Sequence, residues 1–264
     1  MTSSRPLALV TGASSGIGAD LARELARHGH DLVLTARRVE PMRALATELS
    51  ALGAESTVIA ADLSKAGAAA ALAAELAVRG FTLDVLINNA GLGAGGPFHE
   101  SDPARVSEML YVNIVALTEL TRALLPGMVE RKRGRIMFVA STAGFQPGPS
   151  MAVYSASKAY VLSLGEAISY ELRGTGVTLT TLCPGATHTE FTDVANTGRS
   201  VLFASPLASV MSSPEVARQG YHALATGKRV HITGLINKMV ATSGRYSPRA
   251  LSLPVTSAIL KPGK

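Results

Sequence analysis

Tyr154 and Lys158 stand four residues apart in the run Tyr154-Ser155-Ala156-Ser157-Lys158. On a helix this spacing puts both side chains on one face, a turn apart. A phenol with a free pKa of about 10 and an ammonium near about 10.4 exchange protons poorly alone. In a shared pocket the ammonium favours the phenolate, and the pair becomes an acid/base near neutral pH. Such pairs also occur on wet helix faces, so the neighbouring residues decide. Ser141 stands earlier, at the end of an apolar run. A hydroxyl there can polarise a carbonyl and stabilise a developing alkoxide.

A second group of residues points to a nucleotide. Thr11-Gly12-Ala13-Ser14-Ser15-Gly16-Ile17-Gly18 follows the first apolar run and opens a helical pattern. Glycines let a pyrophosphate approach the backbone, and the free N–H groups of a helix start face it. No Gly-Lys-Ser/Thr follows, which argues against a P-loop. About 20 residues further on, a residue is expected to meet the adenosine ribose. NAD sites place a carboxylate there. This chain has Thr35-Ala36-Arg37-Arg38 instead. Guanidinium groups can hold a 2′-phosphate through charge-assisted hydrogen bonds. The expected cofactor is therefore NADP (NADPH), with Arg37 preferred over Arg38 as the phosphate contact.

These residues need elements to position them. Apolar, β-branched runs at 7–10, 32–35, 56–60, 85–87, 135–140 and 177–182 read as strands covered on both faces. Helical patterns fall at about 17–28, 40–52, 65–79, 103–131 and 154–173, then near 214–226 before a short strand at 229–233. Asp102-Pro103 supplies an N-cap and a first helical position for the long fourth helix. Strict alternation predicts an α/β fold: one doubly wound parallel sheet of about seven strands, with helices on both faces. Residues 1–264 are expected to form a single domain. A Thr/Ser-rich stretch at about 186–212 is the expected substrate loop, and about 234–264 a basic tail.

Composition narrows the class. A chain of 264 residues with 47% hydrophobic and 17% charged residues fits a globular enzyme with a large core. No run reaches the ~18 uninterrupted apolar residues of a membrane span. The start runs straight into a core strand, and a single cysteine, Cys183, fits a reducing compartment, so a cytoplasmic protein without a signal peptide is expected. The histidines show no metal spacing, and no metal is expected. The net charge of +6 sits at one end: eight basic residues and no acid follow Glu215. The rest is near neutral, so no nucleic-acid partner is expected. The tail mixes Leu235, Ile236, Met239, Val240, Leu251, Leu253, Ile259 and Leu260 with basic residues. Contact with protein is its expected role, ahead of an anionic membrane, because Pro248 and Pro254 interrupt a long amphipathic helix.

Together these motifs resemble the classical short-chain dehydrogenase/reductase family over roughly residues 5–190. The resemblance rests on the glycine turn, Asp62-Leu63, Asn88-Asn89-Ala90-Gly91, Asn113, Ser141, Tyr154-x-x-x-Lys158 and Pro184-Gly185 followed by Thr189. It implies a Rossmann-type fold and a catalytic tetrad of Asn113, Ser141, Tyr154 and Lys158, with Asn113 holding a water for a proton relay. It implies a cofactor site of Gly12, Ser14, Ser15, Gly16, Ile17, Gly18, Arg37, Arg38, Asp62, Leu63, Asn89, Ala90, Gly91, Tyr154, Lys158, Pro184, Gly185, Thr187 and Thr189. In that site Asp62 would accept from the adenine amino group and Thr189 would hold the nicotinamide carboxamide. The chain departs from the family's common pattern by lacking a terminal Asp-Gly-Gly segment. The expected function is an NADP-dependent oxidoreductase that interconverts a carbonyl and an alcohol. A moderately hydrophobic ketone, aldehyde or secondary alcohol is the expected substrate, met by Leu92, Gly93, Phe145, Gln146, Met151, Val153 and Phe191. The alternative is a non-catalytic nucleotide-sensing regulator on the same fold. A homodimer or homotetramer is expected, through apolar residues of the fourth and fifth helices such as Met109, Leu117, Leu120 and Leu124, then Val161, Leu164 and Ile168.

Overall fold

In the computed structural model the described residues are 5–188 and 210–260. Six strands and a short seventh build one parallel sheet: β1 (Leu7–Thr11), β2 (Asp31–Ala36), β3 (Ser56–Ala60), β4 (Val85–Asn88), β5 (Gly134–Val139), β6 (Val177–Cys183) and β9 (Val230–Ile232). Their spatial order is β3-β2-β1-β4-β5-β6-β9. The order reverses direction between β1 and β4, and the crevice beyond their carboxyl ends is where such sheets bind ligands. A separate two-residue pair joins β7 (Thr187–His188) to β8 (Met211–Ser212).

Alternation along the strands explains why both faces are apolar. Leu9, Val33, Leu86, Ile136 and Phe138 point to one side, against α3 (Ala68–Val78), α5 (Leu117–Glu130) and α6 (Ala152–Glu171). Their neighbours Val10, Leu32, Ile87, Met137 and Val139 point to the other. There they meet α1 (Gly16–Arg27), α2 (Val39–Ser50) and α7 (Ser213–Ala225). Phe138 and Leu9 are fully buried. Truncation to alanine would cost about 3–5 kcal/mol at Phe138 and about 2–5 kcal/mol at Leu9, by the usual ranges for core side chains. Gly165 of α6 lies so close to Thr181 and Phe138 that any side chain would force the helix off the sheet.

The long fourth helix is present but not uniform. Asp102 caps it by accepting from the Ala104 N–H at 2.9 Å, and Pro103 follows. It runs as α4 (Pro103–Leu110), a π-helical turn (Tyr111–Ala116) and then α5. Although the whole segment is apolar enough in length and hydropathy to cross a membrane, Met109, Ala116, Leu117, Leu120 and Met128 are buried within the protein.

The tail forms two further helices, α8 (Leu235–Tyr246) and α9 (Arg249–Leu260). Pro248 stands in the gap between them. Pro254, expected to interrupt the tail, lies inside α9.

Candidate active site

The cofactor end is stitched by a hydroxyl. Thr11 Oγ1 donates to the Ile87 carbonyl at 3.2 Å and accepts from the N–H groups of Asn89 and Ala90, both at 3.0 Å. Asn89 Nδ2 donates back to the carbonyls of Thr11 at 2.9 Å and Gly12 at 3.2 Å. The ends of β1 and β4 are thereby locked across the switch point. Gly12 has φ of 65° and its missing side chain leaves room for Ala90. Gly18 lies against the Gly12 carbonyl, so the helix start can sit tight on the turn. Ser15, at the N-cap of α1, makes no side-chain cap bond. Glycines that keep side chains out of the turn, beside an open helix start, fit a bound diphosphate.

Arg37 and Arg38 are both exposed beyond β2. Arg38 Nη2 reaches Ser15 Oγ at 3.1 Å and Ser14 Oγ at 3.4 Å, so it lies over the glycine turn. The sequence reading favoured Arg37, but the geometry gives Arg38 an equal claim. Arg37 instead acts on Asp62. Burial pushes the Asp62 carboxyl up, yet it sits below its ordinary value because Ser64 donates twice and the charges of Arg37 and Lys65 add. The Asn88 side chain turns away from the crevice and donates to Thr121 Oγ1 at 2.9 Å.

The catalytic candidates converge at the carboxyl ends of β5 and β6. Ser141 opens a 3₁₀ turn (Thr142–Phe145), and its Oγ accepts from the Ala143 N–H at 3.1 Å. That turn packs on α6 so closely that Gly144 touches the Lys158 backbone. The contact brings Ser141 into a side-chain hydrogen bond with Tyr154. Tyr154 is buried among Leu92, Met109, Val112, Met151 and Val153. Lys158 Nζ donates to the Val139 carbonyl at 2.8 Å and lies 5.8 Å from the Tyr154 ring centroid. Its ammonium approaches the place where a side chain on Gly91 would begin.

The electrostatics differ from the sequence expectation. Burial raises the Tyr154 phenol above its ordinary value, and the Ser141 hydrogen bond opposes this. Burial pushes Lys158 down to about 8. The pair by itself therefore favours a neutral phenol. Burial is the larger influence on Tyr154, and the Lys158 ammonium is directed at the Val139 carbonyl.

Asn113 lies in the π-helical turn and is 1% exposed. Its Oδ1 accepts from the Leu92 N–H at 2.8 Å, and its Nδ2 donates to the Leu92 carbonyl and to Ser157 Oγ, both at 2.9 Å. These bonds engage both ends of the amide, so the side chain holds a loop and a helix in place.

Of the pocket candidates, Leu92, Met151 and Val153 gather with Tyr154. Phe145 belongs to the main core and packs there with Ala241. Pro184 accepts from the Thr142 N–H at 2.8 Å, and Thr187 Oγ1 donates to the Gly185 carbonyl at 3.0 Å. Thr189, Phe191 and most of the expected substrate loop lie outside the described residues. Among the described residues no cluster of metal-ligating side chains occurs. The sequence reading missed three contributors. Thr11, a strand-end threonine, carried only its position before the glycines as a signal. Ser157 lay inside the Tyr154–Lys158 motif. Asn237 of α8, packed against Gly185, offered no signal in the sequence.

Residues 6–200 match the short chain dehydrogenase family. An NADP-dependent 3-hydroxy acid dehydrogenase of Salmonella typhi is 38% identical over 190 residues, 71% of this chain and 75% of that protein. A short-chain dehydrogenase from Sphingobium yanoikuyae, solved in complex with NADPH, superposes with a TM-score of 0.81. The two are 34% identical, over 90% of this chain and 92% of the other. The bulky-bulky ketone specific alcohol dehydrogenase from Comamonas testosteroni is 30% identical over 92% of this chain and 93% of its own, with a TM-score of 0.77.

Proposed function

The chain belongs to the short chain dehydrogenase family, and from that premise we propose that it is an NADP-dependent oxidoreductase interconverting a carbonyl and a secondary or primary alcohol. The bound nicotinamide supplies or accepts the hydride. The observation that carries the reading is the hydrogen-bonded pair Ser141 and Tyr154 at the edge of an apolar cluster, with Lys158 beneath.

The chain's own residues divide the work. Ser141 holds the substrate oxygen and stabilises charge developing on it. Tyr154, kept neutral by burial, gives its proton to that oxygen during reduction and takes it back during oxidation. Lys158 places positive charge beside the phenol and fixes the floor of the site through Val139. Asn113 is a positioning residue, acting through Leu92 and Ser157. Arg37 and Arg38 select the phosphorylated cofactor. Gly12 to Gly18 would receive its diphosphate, with Asn89, Ala90 and Gly91 across the crevice. Leu92, Met151 and Val153 line the substrate side, so a moderately hydrophobic ketone, aldehyde or alcohol fits better than a polyanion. The NADP-linked relatives and the bulky-bulky ketone specific alcohol dehydrogenase support this assignment.

A homodimer is part of the proposal. Met109, Leu117, Leu120 and Val161, on which the expectation rested, are buried in the protein's own core, with Leu124, Leu164 and Ile168 packed against it; Leu110, Tyr111 and Tyr160 are instead exposed on α4, the π-helical turn and α6. Light scattering at micromolar concentration is expected to give at least twice the chain mass.

A screen of NADPH and NADH oxidation against ketones and aldehydes, with the reverse assay on alcohols, tests the reaction. Tyr154→Phe keeps the ring and removes only the proton donor. It should abolish nearly all turnover with NADPH binding intact; substantial residual turnover would refute the role of Tyr154.

A further inference from the structure

Helix α8 has two unlike faces. Asn237, Ala241 and Gly244 recur at the spacing of one helical side. Asn237 meets Gly185, Ala241 is buried in the core with Phe145, and Gly244 meets Gln146. The opposite side carries Leu235, Ile236, Met239, Val240 and Tyr246, which are 81%, 48%, 64%, 52% and 78% exposed. At 3.6 residues per turn these five share an arc of about 140°. Leu253 and Val255 of α9 are also exposed. The five on α8, sharing one arc in water, mark an interaction surface.

Among the described residues the charge beside this face is mostly basic. In sequence, residues 216–264 carry eight basic residues and no acid. Lys238 is exposed beside Met239. Thr242 and Tyr246 border a cavity of about 830 Å³ that is also lined by Arg173 and Arg229. The acid there is Glu166, 4.0 Å from Arg229.

We propose that this face of α8 docks on the surface of an anionic lipid bilayer, with the helix lying in the headgroup plane. A helix of 12 residues is about 18 Å long, too short to span the hydrocarbon core but suited to its boundary. Apolar side chains on one side with cations flanking them fit acyl chains below and anionic headgroups around. A second copy of this chain fits less well. A two-fold contact through the same face would bring Lys238, Arg173 and Arg229 of one copy towards the same cations of the other, with Glu166 already beside Arg229. Because the inner face of α8 presses on the turn after Ser141 and on Gly185, docking sets the substrate side about one helix diameter, ~10 Å, from the headgroups.

Co-sedimentation of the full chain with vesicles tests the proposal. Vesicles of equal parts phosphatidylglycerol and phosphatidylcholine should pellet the protein at about 0.15 M salt, and raised salt should release it. Vesicles of phosphatidylcholine alone should not pellet it. The pair Met239→Ser and Val240→Ser should lower the vesicle partition coefficient at least roughly tenfold, and Lys238→Glu should lower it further. Carbonyl reduction with soluble substrate should be unchanged in both variants, which also shows that they fold. Equal partition of parent and variants, or equal binding to neutral vesicles, would overturn the proposal. So would a parent that ignores vesicles but forms an oligomer that the serine variant dissolves, since the occupant would then be a second copy.

Discussion

Asn113 Nδ2 donates to Ser157 Oγ at 2.9 Å, which ties the π-helical turn to α6 one residue before Lys158. Ser157 Oγ passes the link on by donating to the Tyr154 carbonyl at 2.7 Å. A line of hydrogen bonds thus runs from the Leu92 backbone through Asn113 and Ser157 to the turn that carries Tyr154. The extra residue of a π-helical turn shifts the side-chain register, and such turns recur at functional sites.

Asn113→Ala should therefore do more than remove a polar group. It leaves the buried N–H and C=O of Leu92 without their side-chain partners, at about 1–3 kcal/mol for each unsatisfied group. Both Tm and kcat are expected to fall. A double-mutant cycle with Ser157→Ala should show a coupling of about 0.5–3 kcal/mol in stability. Strict additivity would show that the link transmits nothing.

Arg37→Ala and Arg38→Ala should each raise KM for NADPH far more than KM for NADH. Loss of one charge-assisted hydrogen bond to phosphate costs roughly 1.5–3 kcal/mol, or about one to two decades. If only Arg38→Ala discriminates, the phosphate sits at Ser14 and Ser15, where that guanidinium already lies. Equal effects on both cofactors would remove the arginines from cofactor selection.

Lys158→Met separates stability from catalysis. In the folded chain burial lowers Lys158 to about 8, against an ordinary value near 10.5. Below about pH 8 the group is charged in both states, and folding bears the full cost of burying the cation. Between the two values the unfolded chain holds more protons, so stability rises with pH. The shift corresponds to about 3 kcal/mol. Turnover should collapse in the variant, while its Tm at pH 7 matches or exceeds that of the parent. The difference should shrink towards pH 10.5, and thermal unfolding across pH 6–10.5 measures it. A variant much less stable at pH 7 would mean that the bond to Val139 outweighs the cost of burial.

Much of this was legible in the chain because it depends on local chemistry. Strand runs such as 135–140, the capped start at Asp102-Pro103 and the Tyr154–Lys158 spacing each carry their meaning within a few residues. The sense of the Tyr154 shift was not legible. It depends on Met109, Val112 and Leu92, which arrive from distant segments and desolvate the phenol. The placement of Asn113 was equally hidden, because a π-helical turn leaves no mark on a 3.6-residue pattern. Phe145 stood among the expected substrate contacts, yet the sheet and α8 take it into the core. Arg38 stood second to Arg37 in the expected cofactor site, and only the fold shows it reaching over Ser14 and Ser15.

Truncation after Gly234 tests how the tail serves the site. The cut removes Asn237 from beside Gly185, takes Ala241 out of the main core and uncovers Gln146 where Gly244 rests. These contacts brace the two turns that follow β5 and β6, which carry Ser141 and Pro184. Those turns also meet each other, through the 2.8 Å bond from the Thr142 N–H to the Pro184 carbonyl. Without α8 the turns should loosen, so Tm should fall and KM for the carbonyl substrate should rise. The glycine turn, Arg37 and Arg38 lie at the β1–β2 end of the sheet, away from α8, so the preference for NADPH over NADH should be unchanged. Differential scanning fluorimetry with steady-state kinetics on both cofactors reads all three quantities. A truncated chain with unaltered Tm and KM would show that α8 does not brace the catalytic turns. A changed cofactor ratio would mean that the tail acts on the whole crevice.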